Sequence, residues 1–190
     1  MSKTYISDRI FENKDFAEEE LEVANYDQCT FIRCRFYQVD LSDIGFIECE
    51  MKDCDLSNAY LTNTAFRDVQ FAQCKMMGLH MEEGNQMGLE MQFDHCILDH
   101  TSFFGLKLKK TFFRTCSLKE VDFTEAELGE ASFTGSNLEG AKFERTDLRK
   151  ADFRGAQNYL IDPRDNKVQK AKFSREGLEG LVKSLGVIVE

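Results

Sequence analysis

Seven cysteines are the residues of this chain with the widest possible chemistry, and their spacing limits what they can do. They are Cys29, Cys34, Cys49, Cys54, Cys74, Cys96 and Cys116. Thiolates act as nucleophiles, bind zinc or form disulfides, and zinc sites commonly use a C-x-x-C pair. Here the separations between successive cysteines are multiples of five, with a single exception. This spacing argues against catalysis or zinc binding, and we expect free, buried, structural thiols.

The other candidates for chemistry are equally weak. His95 and His100 are expected to be solvated corner residues with no acidic ligand in matching phase, rather than metal ligands. Gly84 and Gly88 are not followed by the Lys-Ser/Thr pair of a phosphate-binding loop. We therefore expect no enzymatic activity, no cofactor and no metal site.

The elements that position these residues repeat every five residues. Every fifth residue from Phe11 to Met81 is large and apolar, and so is every fifth residue from Phe93 to Phe153, where Phe and Leu alternate. Neither a helix, with 3.6 residues per turn, nor a strand, with a period of two, produces this pattern. All seven cysteines lie two residues before one of these large residues, which we call centres. In an extended segment the two positions share one face, so both side chains point inward.

The repeat predicts an all-β fold, a right-handed quadrilateral β-helix. Four pentapeptides make a coil of twenty residues, because only a four-sided coil stacks Phe on Phe, Leu on Leu and Cys54 on Cys74. Coils stack about 4.8 Å apart, so seven to eight coils form a rod of roughly 35–40 Å. We expect the β-helix to occupy residues 1–173 and a capping and dimerisation segment to occupy 174–190.

Charge is distributed unevenly along the chain. The formal net charge is −10, and all of this excess lies in residues 1–90, since residues 91–190 carry equal numbers of acids and bases. We expect no direct binding to nucleic acid, because phosphate repels such a chain, and a basic partner surface instead. In the second half, columns such as Lys110, Glu130 and Lys150 alternate in sign. In the first half we expect outward acids without partners in the chain, namely Glu20, Asp40, Asp43, Glu48, Asp53, Asp55 and Asp68.

The repeat is interrupted once and weakens at its end. Between Met81 and Phe93 the phase slips by two, and the residues concerned are Glu82, Glu83, Gly84, Asn85, Gln86 and Met87. Two interpretations remain open: methionines that fill a distorted core, or a loop that bulges out to contact a partner. After Phe173, Ser174 can cap a helix of about ten residues that ends before Gly186. The predicted dimer contacts are Leu178, Leu181, Val182, Leu185, Val187, Ile188 and Val189.

The N-terminus has no apolar signal region, and no stretch of the sequence is long and apolar enough to cross a membrane. Seven cysteines in such a chain indicate a reducing compartment. We therefore expect a cytoplasmic protein.

Three segments carry a family resemblance. Residues 131–135, 141–145 and 151–155 read ASFTG, AKFER and ADFRG, which resemble the pentapeptide-repeat pattern A-[DN]-[LF]-x-x. The residues around Asn158 and Pro163, the run KAKFS before Arg175, and LGVIV near the end are similar to the tail of topoisomerase-protecting members. Those members include the Qnr quinolone-resistance proteins and the microcin B17 and albicidin immunity proteins.

The resemblance implies a bacterial homodimer joined at its C-terminal end. It also implies a mimic of B-form DNA that binds DNA gyrase, with topoisomerase IV as a second target, and protects it from poisons that trap cleaved DNA. The single short interruption makes the immunity-type members the closer comparison. The alternative is a binding scaffold of the same fold with an unrelated protein partner.

Overall fold

The computed structural model describes residues 4–187. Residues twenty apart lie side by side in parallel strands: Tyr26 pairs with Phe46, and Phe46 pairs with Phe66. The chain is a parallel β-solenoid of about eight turns with one short C-terminal helix, which confirms the predicted four-sided β-helix.

Each coil has four faces, which we number in chain order. The centres of the first coil are Phe11 on the first face, Phe16 on the second, Leu21 on the third and Tyr26 on the fourth. The second, fourth, sixth, eighth, ninth and tenth strands stack on the first face, while the first, third, fifth and seventh stack on the fourth face. The strands are β1 Tyr5–Ser7, β2 Ile10–Glu12, β3 Asn25–Asp27, β4 Thr30–Ile32, β5 Gly45–Ile47, β6 Glu50–Lys52, β7 Ala65–Arg67, β8 Val69–Ala72, β9 Met91–Asp94, β10 Phe113–Arg114, β11 Asp152–Phe153 and β12 Lys172–Phe173.

The interior of the tube is filled by the centre residues. On the first face the rings of Phe93 and Phe113 stack with centroids 5.1 Å apart, and Phe113 stacks on Phe133 at 5.2 Å. The ring of Phe123, on the third face, meets Phe113 edge-on at 5.6 Å. Both arrangements are favourable for aromatic rings, so Phe stacks on Phe, as the ten-residue alternation predicts.

Where the position two residues before a centre is Thr, Ser or Cys, its side chain can donate a hydrogen bond to the preceding coil. Thr64 Oγ1 donates to the carbonyl of Leu41 at 2.7 Å, and Cys74 Sγ contacts the carbonyl of Met51 at 3.3 Å. A buried carbonyl needs a donor, and Thr, Ser and Cys are small side chains that supply one. This contact explains why cysteine, serine and threonine recur at an inward position.

Five of the seven thiols form a column along the second face. All seven are buried and free, as predicted. The column consists of Cys34, Cys54, Cys74, Cys96 and Cys116, of which neighbouring pairs interact. The other two, Cys29 and Cys49, stack on the first face, and burial raises the pKa of the Cys49 thiol to about 11.

The polar positions of the repeat have structural roles as well. The second residue after each centre turns the corner in the left-handed region, for example Glu48 with φ 51° and Asp53 with φ 54°. The residue before the centre often caps its own turn: an oxygen of Asp40 accepts from the backbone N–H of Ser42 at 2.9 Å. Asn, Asp and Gly suit these two positions.

The interruption adds two residues to one coil. Ala65 still pairs with Asn85, twenty residues away, whereas Phe71 pairs with Phe93, twenty-two away. The residues between form a small bulge in which Arg67 Nε donates to the carbonyl of Met87 at 3.1 Å. Glu82 and Glu83 lie just before it, in a 3-10 turn over Met81–Glu83 that ends at Gly84. Of the five methionines clustered here, Met76, Met81 and Met91 are buried, while Met77 and Met87 are exposed.

The C-terminal helix is much shorter than predicted. The helix α1 spans only Glu179–Val182, between 3-10 turns over Arg175–Gly177 and Lys183–Leu185. The prediction of one continuous ten-residue helix is wrong, although the segment does end before Gly186, which adopts the left-handed conformation. The Ser174 side chain does not cap it, since the hydroxyl accepts from the N–H of Gly155 at 3.0 Å instead. The segment packs close against Tyr159: a Cβ on Gly180 would lie 2.2 Å from its carbonyl oxygen, and one on Gly177 would lie 2.1 Å from its hydroxyl.

Candidate functional site

The seven acids predicted to form the binding surface do not share one face. Glu20, Asp40 and Asp43 belong to the third face. Glu48 and Asp68 stack at the corner that follows the fourth face, Asp53 lies at the corner after the first face, and Asp55 lies on the second. With the exception of Asp55, which is half-buried, they are exposed.

The expectation that these acids lack partners within the chain is wrong for four of them: Asp40 accepts a hydrogen bond from Ser42 in its own turn, and the other three have partners in neighbouring coils. Asp43 accepts a 2.6 Å hydrogen bond from Asn63 Nδ2, one coil away. Glu48 accepts from Gln28 Nε2 at 3.3 Å. Polar side chains in the same column supply these partners, so stacking compensates part of the acid in the first half too.

Asp55 is the fourth case, and it belongs to an alternating column of charge. Asp15, Arg35, Asp55 and Lys75 occupy successive coils of the second face. Arg35 Nη1 lies 2.8 Å from Asp15, and the pKa of Asp15 is lowered, chiefly by the hydrogen bond from Arg35. This column repeats the pattern found in the second half, where Lys150 Nζ lies 3.3 Å from Glu130.

The third face carries acids but no Lys or Arg on its first six coils. The last acid of these coils, Glu125, is paired with Arg145 of the next coil, whose Nη2 lies 3.1 Å away. We use the term acidic face for its outward acids in the first six coils, which are Glu20, Glu22, Asp40, Asp43, Glu82, Glu83, Asp122 and Glu125. The Lys and Arg residues of the third face, Lys142, Arg145 and Arg164, all lie in its last two coils. Glu22, Asp122 and Glu125 were missed by the sequence analysis, which named Glu82 and Glu83 as part of the loop. Sorting the acids by their place in the twenty-residue turn, with a two-residue correction after the interruption, would have found them.

The acidic face also carries exposed aromatic residues. Tyr60 is 61% exposed and pairs with Asp40 in the neighbouring coil, while Phe104 is 44% exposed. The pKa of Asp40 is lowered by the hydrogen bonds from the Ser42 side chain and backbone, so this carboxylate is charged at neutral pH. Negative charge beside exposed aromatic side chains suits a protein interface, where such side chains are enriched.

The predicted loop lies beside this surface. Glu82 and Glu83 are part of the acidic face, and His80 Nδ1 lies 3.2 Å from Glu82. Gly84, Asn85 and Gln86 lead into the bulge. Met87, at its tip, is 75% exposed.

The predicted dimer residues differ in their exposure. Leu178, Leu185 and Val187 are exposed, while Leu181 packs against the core of its own chain. Val182 is half-buried. Ile188 and Val189 lie outside the described residues. The three exposed side chains form an apolar strip at the end of the rod.

One expectation about the histidines needs correction. His100 Nδ1 lies 3.4 Å from Glu120, which is in matching phase one coil away, and His95 Nδ1 lies 3.1 Å from Asp94. Across residues 4–187, no group of three or more His, Cys, Asp or Glu side chains is arranged to hold a metal ion. In the same range no helix is long and apolar enough to cross a bilayer.

Known families and known structures resemble this chain. A family described as pentapeptide repeat region matches residues 24–86 and 89–153, on either side of the interruption. No curated protein matches the sequence significantly. Two trypsin-treated variants of QnrB1, a plasmid-mediated fluoroquinolone resistance protein, are similar in structure. One has a TM-score of 0.63 at 17% identity, covering 98% of this chain and 100% of that one. The other has a TM-score of 0.56 at 22% identity, covering 100% of this chain and 95% of that one.

At these identities the likeness to QnrB1 shows a shared fold. The family match covers well over half of the chain and includes the residues that carry the five-residue repeat. This chain therefore belongs to the pentapeptide-repeat family.

Proposed function

We propose that this protein binds a type II topoisomerase, DNA gyrase above all, and protects it from poisons that trap cleaved DNA, in the bacterial cytoplasm. Topoisomerase IV is a second target of the same kind. The activity requires binding alone. The observation that carries the proposal is the acidic face, whose carboxylates lie on four of the first six coils of one side of the rod.

The acidic face is suited to replace DNA on a basic surface. Stacked coils lie about 4.8 Å apart, so its acidic coils are separated by one or two such steps, compared with about 3.4 Å between the phosphates of one DNA strand. A saddle of Lys and Arg that accepts duplex DNA attracts such a row over long range. Tyr60 and Phe104 add apolar contact area within the row.

Two similarities favour a topoisomerase over other basic partners. The C-terminal tail, from Asn158 to Val187, resembles that of topoisomerase-protecting members of the family. The structure also resembles QnrB1, a fluoroquinolone resistance protein, over nearly the whole of both chains. We infer the same arrangement of two rods joined end to end, with Leu178, Leu185 and Val187 at the junction.

The test is a gyrase supercoiling and DNA-cleavage assay with this protein titrated against each class of poison. The test variant replaces four acids of the acidic face: Glu20→Gln, Glu22→Gln, Asp40→Asn and Glu83→Gln. The control variant removes four acids from the first and second faces: Glu50→Gln, Asp94→Asn, Asp99→Asn and Glu139→Gln. We expect the test variant to lose binding and protection, and the control to retain both.

Equal losses in both variants would mean that net charge matters and the acidic face does not. If the parent protein neither bound gyrase at low salt nor altered cleavage, the alternative of a scaffold with an unrelated partner would be the better account.

A further inference from the structure

The second half of the rod is polarised rather than neutral. Its acids lie mainly on the second and third faces, while its bases collect on the fourth. We use the term basic patch for Lys107, Lys109, Lys110, Arg149, Lys150, Lys167 and Lys170, which lie on three of the last four coils of the fourth face, while the coil of Leu128 carries only acids. The acids among them are Glu127, Glu130 and Asp147.

The cations of the basic patch project further into solvent than its acids. The Arg149 side chain is 58% exposed and its partner Asp147 only 16%, while Lys150 is 58% exposed and Glu130 is 37%. The pKa of Glu130 is lowered, first by its hydrogen bond from Lys150. A partner approaching this face therefore meets mainly ammonium and guanidinium groups.

A glycine opens a cleft within the patch. Gly129 lies between Lys109 and Arg149 at the position after the centre, and a Cβ there would have ordinary contacts only. The cleft above it measures about 260 Å³ and is lined by Lys109, Arg149 and Lys150 as well as the three acids. Cations thus flank a recess in which the backbone is accessible.

We propose that the basic patch binds the phosphate backbone of duplex DNA, without selecting a base sequence. Four coils span about 14 Å, a distance that holds about four phosphates of one strand. Six of the seven cations are lysines, which suit single phosphates as point charges. On these four coils, among the described residues, none of the exposed large apolar side chains lies on the fourth face. A protein partner would need such anchors, whereas a polyanion does not.

The expectation that this protein does not contact nucleic acid rests on its net charge, which sums the charges of all four faces. The acidic face and the basic patch point in different directions, so one rod can present protein-binding acid and DNA-binding cations together. This proposal does not depend on topoisomerase binding and is tested without any enzyme.

The experiment measures the anisotropy of a labelled duplex of about 20 base pairs at salt concentrations from about 50 to 200 mM. Four phosphate contacts predict a slope of log K against log salt of about −3.6. In the test variant, Lys107→Gln, Lys109→Gln and Lys110→Gln are combined. We expect its affinity to fall about tenfold or more and its slope to become less negative by about 2–3.

The control combines Lys75→Gln, Lys119→Gln and Lys142→Gln, which remove the same charge from the second and third faces, and we expect affinity within about twofold of the parent. Equal losses in the two variants, or no binding by the parent at the lowest salt, would overturn the proposal. Poly-glutamate provides a further check. If it displaced the duplex at equal charge concentration, the patch would be a site for acidic protein segments, and the DNA proposal would fail.

Discussion

The hydroxyl of Thr64, on the fourth face, donates a 2.7 Å hydrogen bond to the carbonyl of Leu41, the centre of the third face one coil earlier. Both groups are buried, and Thr64 is completely inaccessible. The contact joins two coils inside the tube, where no water competes for the carbonyl.

Replacing Thr64 by Val keeps the side-chain shape and removes the donor. We expect a loss of about 0.5–1.5 kcal/mol in the free energy of unfolding, since the Leu41 carbonyl loses its side-chain donor but keeps the backbone N–H of Ile44 at 3.1 Å. Val69, also at the inward position, provides the reverse change: Val69→Thr adds a hydroxyl to a site that lacks one. Urea titrations of both variants check the idea. If Thr64→Val lowered the free energy of unfolding by no more than Val69→Thr does, the hydrogen bond would contribute nothing to stability.

The thiols should react only when the chain unfolds. All seven are buried, which keeps a reagent away from them, and burial also raises the pKa of Cys49 to about 11, so its thiolate is scarce at neutral pH. A thiol reagent added to native protein should label none of them rapidly, and should label all seven in urea. Rapid labelling of several cysteines in the folded protein would contradict their inward placement.

Stability should decline in alkali. Burial raises the pKa of Tyr26 from 10.0 to about 12, and that of Cys49 from 9.0 to about 11. In the unfolded chain these groups lose their protons at lower pH, so their contribution is complete below about pH 9 and is lost as the pH rises towards 12. Thermal unfolding between pH 8 and 11 measures the decline. Tyr26→Phe removes one of the two groups and should reduce the slope, and an unchanged slope would exclude Tyr26 as a cause.

The C-terminal strip should control assembly without controlling the fold. We expect Leu178→Ser combined with Leu185→Ser to give folded monomers in sedimentation, because both side chains are about half exposed in the single chain. Leu160→Ser, which removes a similarly exposed leucine from a corner of the rod, is the control. Deleting residues 175–190 should go further and cause aggregation, since Tyr159 and the last coil are uncovered. A doubly substituted protein that kept the parent mass would place the interface elsewhere.

The bulge should affect protection more than binding, if the proposed function is correct. Met87 is 75% exposed and contributes nothing to the core, so Met87→Ser should leave unfolding unchanged. We expect gyrase affinity within about twofold of the parent and a measurable loss of protection against cleavage poisons. Met77→Ser, an exposed methionine on the second face, is the matched control. If both variants protected gyrase equally well, the bulge would only accommodate the two extra residues of its coil and would have no part in protection.

Most of the fold could be predicted from the five-residue repeat, because only one register places every centre and every cysteine inside the tube. The slip between Met81 and Phe93 was predictable for the same reason. The C-terminal helix was not, since its length depends on the close approach of Gly177 and Gly180 to Tyr159, a contact across the end of the rod.

The candidate surface was only partly predictable. Acids were counted along the chain, whereas the partners of Asp43 and Asp55 and the third-face position of Asp122 depend on which coil lies beside them.

Parallel stacking makes the molecule a one-dimensional series of nearly identical layers, each in contact only with its neighbours. The described layers are not equally protected. The first-coil centres Phe11 and Leu21 are only half-buried and Phe16 retains 8% exposure, whereas Phe31 and Phe36 have none. The opposite end is covered by the tail from Ser174 onwards. Unfolding should therefore begin as fraying from the N-terminal layers, and amide hydrogen exchange should slow progressively from β1 towards the middle of the rod. The acids of the first coils then lie on the part of the molecule that opens most often.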